Sequence, residues 1–199
     1  MSLHESLAAF KSTFFESTLA LHDAHCSVAD THQRATDKLI ETNVADRKKG
    51  GNFRPGLVLK DLDHRSVGSG KFIANGPMVL WFYRGMRHLY CRLDLQAVQP
   101  VRPDIVARGA SLMALSPRNE VNSRQTIREI CLSFPILGDS RGELLAVSGL
   151  RVALLDYLID LCLSEFGTDL SSVNDNPSRT LPMPQRFRID NDCIIGTLR

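Results

Sequence analysis

The chain has 199 residues, enough for one domain with a substantial core and an appended segment. Its 24 basic and 22 acidic residues leave a net charge of +2, without the one-sided excess that nucleic-acid binding draws on, so no nucleic-acid partner is expected. Apolar runs are a few residues long, far short of a membrane span, and no early stretch reads as a secretion signal; a cytoplasmic chain with no membrane partner is expected.

Leu3, Leu7, Phe10, Phe14, Phe15 and Leu19 fall near a helical period, and Asp30 to Thr42 repeats the pattern more weakly, so two amphipathic helices are predicted within residues 2–45. The polar break Arg47, Lys48, Lys49, Gly50, Gly51 separates an arm over 1–46 from a main domain over 47–199. There "LVLKDL" reads as a strand, "HRSVGSG" as a loop and "KFIANG" as a helical turn closed by Gly76. "PMVLWFY" is the strongest strand, a continuous apolar run suited to the middle of a sheet covered on both faces. A helix over His88 to Val98 follows, bent by Pro100 and Pro103. "GASLMALS" is a second buried strand, "SRQTIREIC" a helix and "FPIL" a strand ending in the "GDSRGE" turn. Residues 141–166 carry apolar helical patches, and "QRFRID" and "CIIGTLR" form two strands around Asn191 and Asp192. This order gives an α/β sandwich with a mixed central sheet, in which chemistry gathers at the carboxyl ends of the strands.

Five cysteines, Cys26, Cys91, Cys131, Cys162 and Cys193, stand far apart with no CxxC pair, which argues against a disulfide framework and a zinc site; no metal or cofactor is expected. A free cysteine is by default a small buried hydrophobe, and Cys131 and Cys162, on apolar helical faces, are read as core. Cys91 differs because it lies just past the most buried strand, at the start of the next helix. A helix N-terminus and the neighbours Arg84, Arg87, His88 and Arg92 all favour an anion there. A pKa lowered by about two, worth roughly 2.7 kcal/mol, would make the thiolate the major species.

The segments "FRPGLVLKDLDHRSVGSGKFIANGP", "GPMVLWFYRG...YCRLDLQAVQP", "GASLMALSPRNEVNS", "LSFPILGDSRGELLAVSGL" and "LPMPQRFRID" resemble the peroxiredoxin-like branch of the alkyl hydroperoxide reductase and thiol-specific antioxidant family. The resemblance, which includes the N-terminal arm, implies a thioredoxin-like three-layer sandwich with a mixed central sheet and an N-terminal helical extension. It also implies a thiol peroxidase acting on hydrogen peroxide or organic hydroperoxides, with thioredoxin or glutathione as reductant. Members of the branch carry a tryptophan and CPYC after "FYRG", whereas this chain has His88 at the first cysteine position and Cys91 at the second.

By that resemblance Cys91 keeps the nucleophile's place, and His88 takes that of a threonine that positions the peroxide. His88 either pairs with the thiolate from one helix face or marks a site that has lost its function. Arg84 would stabilise charge developing on the peroxide oxygens, with Tyr83, Pro184 and Arg186 on the substrate side. The family's late arginine falls at Pro184, which also resembles the cis-proline facing the active cysteine of thioredoxin-like folds; the plain alternative for Arg186 is an exposed strand charge. Cys193, in the last hairpin turn, is the candidate resolving cysteine. Related chains continue into a closing helix after that hairpin, so here cover for the sheet is expected from the arm or from a second copy in a homodimer. The competing reading is a decayed thioredoxin-fold module with a regulatory or interaction role. A thiol-disulfide oxidoreductase lacks the paired cysteine it needs.

Overall fold

The structure is a computed structural model, described for residues 5–9, 12–13, 24–42, 58–85, 88–139, 141–174, 176–192 and 195–197. After helical residues at 5–9 and 12–13 come α1 (Ala24–Glu41), β1 (Val58–Lys60), β2 (Ser66–Gly68), α2 (Gly70–Ile73), β3 (Met78–Phe82), α3 (Leu89–Val98), α4 (Arg102–Ala107), β4 (Ser111–Ser116) and α5 (Glu120–Ile130). They are followed by β5 (Ile136–Gly138), α6 (Glu143–Val147), β6 (Arg151–Ala153), α7 (Asp156–Ser164), α8 (Leu170–Asn174), β7 (Thr180–Pro182), β8 (Gln185–Ile189) and β9 (Ile195–Thr197).

Seven strands form one mixed sheet in the order β2-β1-β5-β4-β3-β8-β9, and β6 pairs with β7 in a separate two-stranded sheet. β3, β4 and β5 run parallel, which requires crossover connections; α3 with α4 supplies the first and α5 the second. Side chains alternate between the two faces of a strand. Met78, Leu80 and Phe82 of β3, with Met113 and Leu115 of β4, therefore join Phe187 and Ile189 in a core on one face. Trp81 and Tyr83, with Leu112 and Ala114, join Cys91, Leu95 and Val98 of α3 in a core on the other. Burying each large side chain of these sets contributes about 1.5–3 kcal/mol. The most apolar run in the sequence thus becomes the central strand, and its carboxyl end meets the start of α3.

The sandwich with a mixed central sheet is as expected, and the helical turn before Gly76 is present as α2. Other details differ. "HRSVGSG" is not all loop, because Ser66–Gly68 pairs antiparallel with β1, a hairpin three residues deep that leaves no alternation long enough to read. The β6–β7 ladder and α8 were not foreseen, for the same reason of length. The two prolines do not bend one helix: α3 ends at Val98, a 3-10 turn covers Gln99–Val101, and Pro100 and Pro103 each sit in a first turn, where a missing N–H costs nothing. Cys131 is exposed rather than core, since it caps α5 in the left-handed conformation with φ 50°. Cys162 is half-buried on α7. In the arm, α1 packs on α7, with the Arg34 guanidinium 3.8 Å from the centre of the Tyr157 ring. The boundary at residues 47–51 lies outside the described residues.

Candidate active site

β3 ends at Phe82, and Tyr83 extends its pairing by donating its N–H to the Leu115 carbonyl at 3.1 Å. The chain then leaves the sheet through Arg84 and Gly85 and enters α3 at its N-cap, His88. His88 has extended backbone, and its side chain accepts the N–H of Cys91, as a residue capping an open helix end does. Cys91 therefore occupies the third helical position, inside the first turn.

Two groups converge on its sulfur. The Arg84 N–H donates to Cys91 Sγ at 3.4 Å, and His88 Nδ1 lies 3.0 Å from Sγ. The Cys91 N–H also reaches Nδ1, at 3.4 Å. That contact places the lone pair on Nδ1, so a neutral His88 is set to take the thiol proton. The sequence spacing of three residues thus produces a thiol–imidazole pair. His88 does not stand off from the sulfur.

The expected lowering of the Cys91 pKa is not found. Cys91 is 2% exposed, and burial pushes its thiol up to about 11, against the Arg84 N–H, the Arg84 guanidinium and the more distant Arg118. The Asp94 carboxylate, one turn further along α3, raises it further. The positive surroundings exist in part, but Arg92 is exposed, Arg87 lies outside the described residues, and burial outweighs the rest.

Arg84 itself is half-buried, with its Nε donating to the Pro182 carbonyl at 2.9 Å. Burial lowers its pKa, and the thiols of Cys91 and Cys162 partly restore it. Arg186 is not the exposed strand charge of the plain alternative. It pairs with Asp94, and its guanidinium stacks 4.4 Å from the centre of the Trp81 ring. Asp94 is nonetheless raised by burial, with Arg186 and Trp81 opposing the rise.

These groups border a cleft of about 300 Å³. Cys91, Asp94 and Arg186 form its polar part, while Leu7 of the N-terminal helix, Tyr90 and Pro184, with Gln185, close the remainder. Pro184 lines the same cleft as Cys91, but its peptide bond is trans, there being no cis peptide among the described residues. Tyr83 does not line the cleft. It is fully buried on the core face of the sheet, and burial raises its phenol to about 12; its hydroxyl lies near Thr126 and Ser116 without a hydrogen bond of normal geometry. Its place directly after β3 puts it inside, since alternation along the strand continues through it. Cys193 lies outside the described residues.

The sequence reading assigned no site role to Asp94, Leu7 or Arg118. Asp94 carried a usable signal, standing three residues after Cys91 on one helix face. Arg118 stands just past the carboxyl end of β4, where the fold class gathers its chemistry, but nothing in its local sequence separates it from a surface charge. It is 8% exposed, and its Nε donates to the Arg84 carbonyl at 3.0 Å.

A family model described as the AhpC/TSA family matches residues 51–197. No curated protein matches the chain. Among solved structures, the peroxidoxin BcpB from Mycobacterium tuberculosis superposes with a TM-score of 0.58 at 18% identity, over 74% of this chain and 82% of that one. A mutant of Xylella fastidiosa PrxQ gives 0.58 at 12% identity over the same shares. A mutant of peroxiredoxin 6 from Arenicola marina gives 0.57 at 17% identity, over 74% of this chain and 62% of that one. At these identities the superpositions establish the thioredoxin-like fold of this chain.

Proposed function

The chain belongs to the AhpC/TSA family, and on that footing we propose that it is a thiol peroxidase with Cys91 as its nucleophile. The observation that carries this reading is the convergence of His88 Nδ1, at 3.0 Å, and the Arg84 N–H, at 3.4 Å, on Cys91 Sγ beside an open cleft. His88 Nδ1 takes the thiol proton as Sγ attacks the distal, hydrogen-bearing oxygen of a hydroperoxide. The S–O bond forms, the O–O bond breaks, and the electron pair leaves on the second oxygen. That alkoxide or hydroxide takes the proton from His88, giving a sulfenic acid on Cys91 and an alcohol or water. The Arg84 N–H supports the charge on sulfur at the start of the step, and the half-buried Arg84 guanidinium adds positive charge nearby.

The sulfenic acid is returned to the thiol by two external thiols. The first forms a mixed disulfide and releases water, and the second displaces Cys91. Thioredoxin or glutathione fits that role in a one-cysteine cycle, with Cys193 as the alternative resolving thiol. No described helix is long and apolar enough to cross a membrane, and the cytoplasm is the proposed compartment. A homodimer is the proposed assembly.

The decayed-module reading has one observation in its favour, the closed and raised Cys91 thiol. Peroxide treatment followed by dimedone trapping separates the two. A dimedone adduct on Cys91, formed faster than on a free cysteine and absent in Cys91→Ser, is expected. Oxidation no faster than that of a free thiol would favour the binding module.

A further inference from the structure

Both partners of the Cys91 sulfur stand on the turn that joins β3 to α3, Arg84 just past the strand and His88 at the N-cap of the helix. Contacts at 3.0 and 3.4 Å are lost by small rotations of the peptides that carry them, so something must fix that turn. Its grip comes from the loop after β4. Arg118 is almost fully buried, and its own N–H is tied to Ser116 Oγ at 3.2 Å, which anchors it to the end of that strand. Its Nε then donates to the Arg84 carbonyl at 3.0 Å. Gly85 makes the approach feasible, because a Cβ there would lie 2.4 Å from Arg118 Nε, and its φ of +122° suits glycine alone. The Gly85 carbonyl in turn accepts the His88 N–H at 3.1 Å. Arg84 is therefore held at both backbone polar atoms, by sulfur on one side and Arg118 on the other, and the next peptide holds His88.

We propose that Arg118 is the positioning residue of this thiol site: by holding the Arg84 carbonyl above Gly85 it sets the turn that delivers the Arg84 N–H and His88 Nδ1 to Cys91. The assignment rests on the reading of Cys91 as the reacting thiol. A guanidinium suits the task because its planar fork fixes the direction of the Nε–H, whereas a lysine offers a rotating point charge. The same charge favours the Cys91 thiolate, as its direction of action on that thiol shows.

The test compares Arg118→Met and Arg118→Lys with the unaltered chain, following iodoacetamide capture at the Cys91 peptide by mass spectrometry from pH 6 to 11, with thermal melts alongside. Arg118→Met should slow capture at pH 7 about tenfold and raise the apparent pKa of Cys91 by about one, the two being one quantity for a thiolate-limited reaction. Arg118→Lys keeps the charge and loses the fork, so it should behave like Arg118→Met. A wild-type profile in Arg118→Met, or full recovery in Arg118→Lys, would overturn the assignment, the latter by showing that charge alone acts. On the unaltered chain, the Arg118 Nε–H resonance should exchange slowly and should shift when Cys91 is alkylated. A freely exchanging signal indifferent to Cys91 would refute the clamp even if neither variant folds. A wild-type chain inert to peroxide whose Cys91 capture still responds to Arg118 would sink the peroxidase reading and uphold the clamp.

Discussion

His88→Asn is the most informative single change. Asparagine is a good N-cap, so the start of α3 keeps a side-chain acceptor, while the imidazole beside Sγ is gone. With the thiol at about 11, only about one Cys91 in ten thousand is a thiolate at pH 7 in the absence of a base. A positioned general base contributes about 10²–10⁴ in rate, which is of the size needed to recover that deficit. With that base in place, single-turnover oxidation by hydrogen peroxide in the unaltered chain is expected to depend only weakly on pH between about 8 and 10. In His88→Asn the rate at pH 7 should fall about a hundredfold or more, and it should then climb tenfold with each pH step towards about 11. Trp81, the single tryptophan, lies in the same core cluster as Cys91 and gives a stopped-flow fluorescence signal. Superimposable pH profiles for the two proteins would refute the base role of His88.

Four further outcomes follow from the same geometry. Asp94→Asn removes the carboxylate that raises the Cys91 thiol, so its apparent pKa should fall and alkylation at pH 7 should quicken several-fold; slower alkylation would contradict the charge argument. Arg186→Met leaves Asp94 half-buried without its cation, which should cost about 1–2 kcal/mol in urea unfolding after allowance for solvent screening. Gly85→Ala forces a Cβ onto Arg118 Nε at a left-handed φ and should destabilise by about 2 kcal/mol or more. Finally, the folded state holds the Cys91 proton up to about pH 11, while the unfolded thiol releases it near 9. The contribution is therefore fully present below pH 9 and is lost as pH rises towards 11, to the extent of about 3 kcal/mol. The loss in urea stability between those pH values should be smaller by that amount in Cys91→Ser.

The long periodic signals were legible in the sequence. The run from Met78 to Phe82 reads as a buried strand because both faces of β3 carry core side chains, and the helix expected over His88 to Val98 is present over Leu89–Val98, with His88 as its cap rather than its first residue. Three-residue ladders such as β2 and the β6–β7 pair were not, because a strand of that length carries no testable alternation. The candidate site shows a similar division. The three-residue spacing from His88 to Cys91 does give a 3.0 Å contact, but through capping rather than a shared helix face: His88 stands outside the helix with extended backbone, and its ring reaches the first turn. Arg118 and the Pro182 carbonyl reach the site only through the sheet order, 34 and 98 residues away from Arg84, and no local pattern announces them.

The direction of the Cys91 pKa was the sharpest miss, and its cause is physical. Local sequence reports which charges are near, but not how far the thiol has been withdrawn from water. Cys91 belongs both to the cleft and to the core cluster of Trp81, Leu95 and Val98, so the same packing that fixes its sulfur also removes the solvation an anion needs. A stored thiolate is unfavourable under those conditions. Proton removal has to coincide with attack, and that demand falls on a base in contact with the sulfur rather than on a distant field. His88, with Nδ1 3.0 Å from Sγ, is the group placed to meet it.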